Sequence, residues 1–271
     1  MLPRSRAIAA AAAISLVFVT GCGASGDDPE TKSTTTTTEA DGPTSTTVAE
    51  EPVGDNGIAD LSAEEILDEA TTAMLDAGSV QVTGSVTDDG SALGLDLGIS
   101  RDGAAGTIEL DGDEVHLVVT EDTVYMQGDE SFYESIGGSA AAKLLGDRWL
   151  SVPVDSEQGE NFAEFGDFDS FVESLLDPGE ITKGDTGTID GTAAIAIEDD
   201  DTDVDEPGEL WVATEGKPYP LQINKKGSDA EKISLTAHGE DVDVSAPPAD
   251  DVIDLEDLQE SRGGRTTTTR G

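Results

Sequence analysis

Apolar positions recur at helical spacing from residue 61 onward, where Ile66, Ala70, Ala73, Met74 and Ala77 share one face. Ser62 and Glu65 stand at the spacing of a capping box, and Leu61 with Ile66 fits a hydrophobic staple. Gly78 is suited to the stop, because it takes left-handed backbone without strain. The pattern predicts one amphipathic helix ending at Gly78.

The period then drops to two. Val80, Val82 and Val86 alternate with polar residues, and Asp88-Asp89-Gly90 turns the chain. Leu93, Leu95, Leu97 and Ile99 point one way, with Gly94, Asp96 and Gly98 between them. Arg101-Asp102-Gly103 turns again, and Ile108 with Leu110, Val115-Leu117-Val119 and Val124-Met126 continue the alternation. These are hairpin-linked strands, each with one apolar face.

The middle is more helical. Phe132 and Ile136 suggest one short helix, and residues 139–145 another. Residues 148–152 form a short strand that Pro153 ends. Phe162 and Phe165 precede Phe168, Phe171, Val172, Leu175 and Leu176, which fit a helix capped by Asp167 or Asp169. Strands resume at residues 180–182, 188–189, 194–197, 209–213, 220–223 and 233–236. Pro247-Pro248 opens an extended segment that runs into a weak terminal turn. Helix, meander, helical insertion and second meander make an α+β chain with its helices against one face of a large antiparallel sheet. A sheet this long must curl. A curled sheet under helices can enclose an apolar cavity.

Nothing is periodic between residues 23 and 57, where Thr runs lie among Asp, Glu, Gly and Pro. Such a stretch cannot bury a core. As a flexible coil it spans roughly 30–35 Å. Its Thr clusters suit either O-glycosylation or a plain spacer. Ahead of it, Arg4 and Arg6 and the apolar residues 7–19 have the layout of a secretory signal. Val19-Thr20-Gly21-Cys22 closes that run with the chain's one cysteine, in the pattern of a lipobox. A thiol there can take a diacylglycerol as a thioether, so Cys22 becomes the acylated first residue of the mature chain. We expect four regions: a signal peptide at 1–21, the acylated Cys22 with a Thr-rich linker at 22–57, one folded domain at 58–258 and a tail at 259–271. The expected location is the extracytoplasmic face of the cell membrane, held by the acyl chains on Cys22.

Net charge is −45, and it becomes −47 once Arg4 and Arg6 are removed. Such a surface repels nucleic acid. Asp199, Asp201, Asp203 and Asp205 alternate like the start of a calcium loop, but Val204 stands where the loop needs glycine and Leu210 where it needs glutamate. His116 and His238 have no metal-ligand spacing and read as strand surface residues. No nucleophile elbow, S-x-x-K or P-loop occurs. Lys217, Lys225, Lys226 and Lys232 make one basic cluster around a hairpin, either a phosphate contact or a solvated surface. No catalysis, metal or cofactor is expected.

Several short motifs recur together in one protein group. They are the lipobox, the N-terminal helix, Val124-Tyr125-Met126, Arg148-Trp149, Ile189-Asp190-Gly191-Thr192, Leu210-Trp211-Val212-Ala213, Lys217-Pro218-Tyr219-Pro220-Leu221 and the late Pro-Pro. In that order, over residues 60–256, the chain resembles actinobacterial lipoproteins of the LppX/LprG type, which have a LolA-like fold. The resemblance implies a curved antiparallel half-barrel with helices over its concave face. It further implies a hydrophobic pocket for acyl chains, a lipid or glycolipid ligand, and a role in lipid transport across the envelope. Leu93, Leu95, Leu97, Ile99, Leu117 and Val119 then either line that cavity or fill a core. Phe168 and Phe171 are candidates for the same cavity, within a series from Phe162 to Phe171 that is either a flexible lid or a packed helix. The rival reading is a surface lipoprotein that acts through protein contacts alone.

Overall fold

The computed structural model describes residues 54–255, apart from 89–90, 111, 157–158, 161, 178, 200–207 and 226–230. The signal, Cys22, most of the linker, the tail and the acidic run after Asp199 lie outside the described residues.

Helix α1, Ala63–Ala77, begins as the sequence predicts. The Ser62 hydroxyl accepts from the Glu65 amide, and the Glu65 carboxylate accepts from the Ser62 amide. The Ser62 backbone amide, and then its hydroxyl, hold the Glu65 carboxyl below the usual glutamate range. Gly78 ends the helix at φ 75° with its amide on Met74 O. Ala63, Ile66, Ala70, Ala73 and Met74 are its buried stripe.

Five strands follow: β1 (Ser79–Asp88), β2 (Ser91–Ser100), β3 (Gly103–Leu110), β4 (Asp113–Val119) and β5 (Thr123–Gly128). Helix α2, Glu130–Leu145, is broken at Gly138 (φ 74°, ψ 173°), so it consists of the two short helices that the pattern suggests. Strand β6 is Trp149–Pro153. A 3-10 turn at Ala163–Gly166 leads into α3, Phe168–Leu175, whose first turn is capped by Asp167. The second meander is β7 (Ile181–Ile189), β8 (Thr192–Asp199), β9 (Gly208–Ala213), β10 (Pro220–Lys225) and β11 (Lys232–Thr236), and the last described strand is β12 (Val252–Asp254).

The described strands join one open, curved sheet in the order β12-β6-β5-β4-β3-β2-β1-β11-β10-β9-β8-β7. Among them every pair is antiparallel except β12 with β6. The fold is the expected α+β half-barrel. Two details differ from the sequence reading. The expected strands at 180–182 and 188–189 are one strand with an irregularity between Lys183 and Thr186, because Gly184 and Asp185 break the alternation. The expected terminal turn is a 3-10 turn at Ala249–Asp251 followed by the parallel strand β12.

The registers place several turns at one end of the sheet, the near end. There lie Gly78, the β2–β3 turn, the β4–β5 turn and the β9–β10 turn. Residues 54–56 dock at this end. The Asn56 amide donates to Thr214 O at 3.0 Å, its side chain donates to Ala213 O at 3.0 Å, and the Gly216 amide donates to Gly54 O at 3.3 Å.

From β11 the chain turns at Ala237 and Gly239 and crosses the other face of the sheet to reach β12. Gly98 points away from Leu97 and Ile99, so its missing side chain marks the convex face. A Cβ there would meet Val242 at 2.9 Å.

Candidate functional site: the concave apolar face

The ladder aligns the inward side chains in rows. One row runs Val82–Leu97–Gly106–Leu117–Met126–Leu150. The next, nearer the α1–β1 junction, runs Val80–Ile99–Ala104–Val119–Val124–Val152. Period-two alternation alone produces both, since each strand turns every second residue inward. Ala104 and Gly106 place a shallow recess in the middle. The segment from Ala163 to α3 sits over β2, β3 and β4 there. Gly166 lies against Val119, where an added Cβ would come within 3.0 Å of its methyl group.

Leu97, Ile99, Leu117 and Val119 have no exposed surface, and they share one apolar cluster with Phe168, Phe171, Ile66 and Met74. Zero accessible area leaves no water-sized void against these four residues. The structure therefore brings six of the eight sequence-chosen residues together as one packed layer between sheet and helices. Leu95 packs on its margin and is partly exposed, and so is Leu93.

The cover is made of separate pieces. α1 lies over β1, β7 and β10, and α2 lies over β4 and β5. Tyr133 pins α2: its hydroxyl donates to Arg148 O at 2.7 Å and accepts from the Gly128 amide at 3.3 Å, and burial pushes its pKa up. Arg101, in the β2–β3 turn, ties α1 to α3. Its guanidinium donates to Leu75 O at 2.6 Å and to Asp169 Oδ1 at 3.2 Å, and it lies 5.7 Å from the centre of the Phe168 ring. Asp167 accepts from the Ser170 amide at 3.1 Å, and that amide, followed by the Ser170 hydroxyl, holds its carboxyl below the usual range.

Toward the far end the cover thins. Val86, Leu93 and Leu110 continue the inward apolar surface and are partly exposed, as is Leu95 one row before them. An open cleft of about 550 Å³ lies beside the first half of α1, lined by Glu64, Leu67, Asp68, Gly179, Glu180 and Ile181. Leu67 and Ile181 pack on the same apolar cluster, so the floor of the cleft is continuous with it. The alternation pattern carried no signal for this cleft, because its walls come from a helix and a loop more than one hundred residues apart.

The remaining candidates separate. Lys217 sits in the β9–β10 turn at the near end, whereas Lys225 pairs with Glu231 at 3.0 Å on the far-end side of β10. The expected basic cluster is thus split, and Lys226 lies outside the described residues. His116 is an exposed strand residue beside Thr107. His238 is not on a strand surface. It stacks on Tyr219 at 4.2 Å, Nε2 faces Pro220 O at 3.0 Å, and burial lowers its pKa. Among the described residues no cluster of three or more metal-ligating side chains occurs. No helix among them is long and apolar enough to cross a membrane.

No family model and no curated protein matches the chain. Solved structures do match. The chain is similar to lipoproteins of the LppX/LprG type. LprF from Mycobacterium bovis aligns at 15% identity and a TM-score of 0.48, over 72% of this chain and 100% of its own. Lipoprotein LppX from Mycobacterium tuberculosis aligns at 19% identity and a TM-score of 0.42, over 67% of this chain and 99% of its own. A DUF1329 family protein from Desulfovibrio piger aligns at 12% identity and a TM-score of 0.25, over 68% of this chain and 95% of its own.

Proposed function

We propose that this protein is a lipid-anchored, extracytoplasmic lipoprotein that binds acyl chains on the concave face of its sheet and carries lipid within the cell envelope. The observation that supports this most is the apolar surface that runs on past the helical cover. Val86, Leu93, Leu95 and Leu110 form a partly exposed rim, and the packed rows of Leu97 and Ile99 lie directly behind it. An acyl chain entering at that rim gains about 0.8 kcal/mol per methylene it buries, offset by the contacts of the Ala163–Gly166 turn with β2, β3 and β4 that it displaces. The pieces of cover are short and separately connected, so one can lift while the sheet keeps its ladder. Cys22 supplies the anchor, residues 22–57 the tether, and residues 58–258 the binding domain. The chain carries no catalytic group in this reading.

A second reading rests on the zero exposure of Leu97, Ile99, Leu117 and Val119. In it the concave face is only a core, and the protein acts through contacts with other proteins. Mass spectrometry of organic extracts from the Cys22→Ser protein, purified without detergent, separates the two. Carriage predicts about one lipid per chain. Absence of lipid, together with failure to take up a fluorescent fatty acid, supports the second reading.

A further inference from the structure

The C-terminal segment crosses the convex face as a strap. It leaves β11 through Ala237 (φ 50°) and Gly239 (φ 79°), two left-handed residues in three positions. Glycine adopts such backbone freely, but alanine is strained there. The start of the strap is fastened to β1: the Gly239 amide donates to Ser79 O at 3.0 Å, and the Ser79 hydroxyl donates to Glu240 O at 2.6 Å. Beyond these bonds it is seated by shape. Val242 fills the notch over Gly98, and Val244 lies 3.1 Å from where a Gly103 Cβ would stand. It ends in β12, three residues long, which covers the outer edge of β6 by parallel pairing of Val252 with Trp149, Ile253 with Leu150 and Asp254 with Ser151.

The two edges of the sheet are protected differently. β7 carries its own defence, an irregularity at Gly184-Asp185 beside Lys183, which spoils pairing with another strand. β6 has no such device before Pro153, and its outer edge depends on β12. A borrowed strand on a long, irregular connection with a strained hinge has the features of an exchangeable element. The groove that receives the strap is complementary to the same strap from any copy of the chain.

We propose that the strap is exchanged between two copies of this chain. Residues 240–254 of each copy then cross the other's convex face and pair with its β6, giving a two-fold dimer. The strap contacts beyond the hinge are kept in the exchange, while the bond from the Glu240 amide to Ala237 O at 3.1 Å, which closes the hinge turn, is given up. The balance is set by the hinge, which straightens on exchange and releases Ala237 from its left-handed conformation, and by protein concentration.

The test uses the full mature chain carrying Cys22→Ser, which removes its only thiol. A Cβ at Gly98 would lie 2.9 Å from a Val242 methyl group, so cysteines at these two positions are within disulfide reach. One chain carries Gly98→Cys, another Val242→Cys, and the two are mixed at high concentration under mild oxidation. Exchange predicts a disulfide-linked heterodimer in clear excess over both homodimers. Placing both substitutions in one chain gives an internal cross-link and keeps dilute protein monomeric. Ala237→Pro, which cannot adopt a positive φ, raises the dimer fraction in sedimentation, and Ala237→Gly lowers the dimerisation constant by about tenfold. If the doubly substituted chain cross-links internally while mixed chains give no heterodimer and Ala237→Pro stays monomeric, the proposal is overturned. Failure of the internal cross-link overturns it too, since the strap would then not lie where exchange requires it.

Discussion

Leu97 gives the sharpest measure of how tightly the concave face is packed. Across the ladder it faces Gly106 on one side and Val82 on the other, and it has no exposed surface. Gly106 has φ 152°, and an added Cβ would strike Asp96 O at 2.1 Å, so no side chain can stand there. Truncating Leu97 to alanine therefore opens a hole above a position that cannot fill it. Buried Leu→Ala changes cost about 2–5 kcal/mol depending on how far the site collapses. With Gly106 beside it, Leu97→Ala belongs at the upper end, about 4–5 kcal/mol. Leu95 faces Gly84 and Ile108 and is partly exposed, so the same truncation there removes less buried surface and costs about 1–2 kcal/mol. For a domain of this size the Leu97 variant should melt about 10–15 °C lower. Urea and thermal unfolding followed by circular dichroism measure both variants. A Leu97→Ala protein no less stable than Leu95→Ala would refute the packing argument and show that Leu97 faces open space.

Other expectations follow from single contacts. Cys22→Ala should move the protein from the membrane fraction to the soluble fraction, and retention after a salt wash would contradict the anchor. Arg101 and Asp169 are both more than half exposed, so Asp169→Asn should change stability by less than about 0.5 kcal/mol. Arg101→Met, which also loses the bond to Leu75 O, should cost about 1 kcal/mol, and equal effects of the two would place the interaction elsewhere. His238 is held neutral by burial, with its pKa below the ordinary 6.5. The unfolded chain therefore binds this proton first as pH falls. The contribution of His238 is complete above about pH 6.5 and declines as pH drops from there toward the folded-state pKa. His238→Gln should flatten the stability profile in that window; a profile unchanged by the substitution would contradict it.

Much of the fold is written locally. Ser62, Glu65 and Gly78 fix the ends of α1, and strict alternation from Leu93 to Ile99 fixes which face is inward. Gly138, left-handed in the structure, separates the two halves of α2 where the sequence already suggested two short helices. What was not legible depends on distant partners. Nothing near Val252 shows that it pairs with Trp149, and Gly98 becomes a notch only once Val242 is laid across it. The candidate cavity shows the same limit. Alternation identifies Leu97, Ile99, Leu117 and Val119 as inward, but whether inward side chains meet a ligand or Phe168 is decided by where α3 docks. The burial of His238 against Tyr219 likewise follows from the turn after β11, which no periodicity announces.

In the proposed function, acyl chains enter behind the rim of Leu93 and Leu95. Titration of a fluorescent fatty acid into detergent-free Cys22→Ser protein, alongside the Leu95→Trp variant, reads that entry. Carriage predicts saturable uptake of about one ligand per chain, reduced at least tenfold by the tryptophan with the melting temperature nearly unchanged. No uptake by the parent protein, combined with a large loss of stability in Leu95→Trp, would rule out acyl entry and leave the concave face as a packed core.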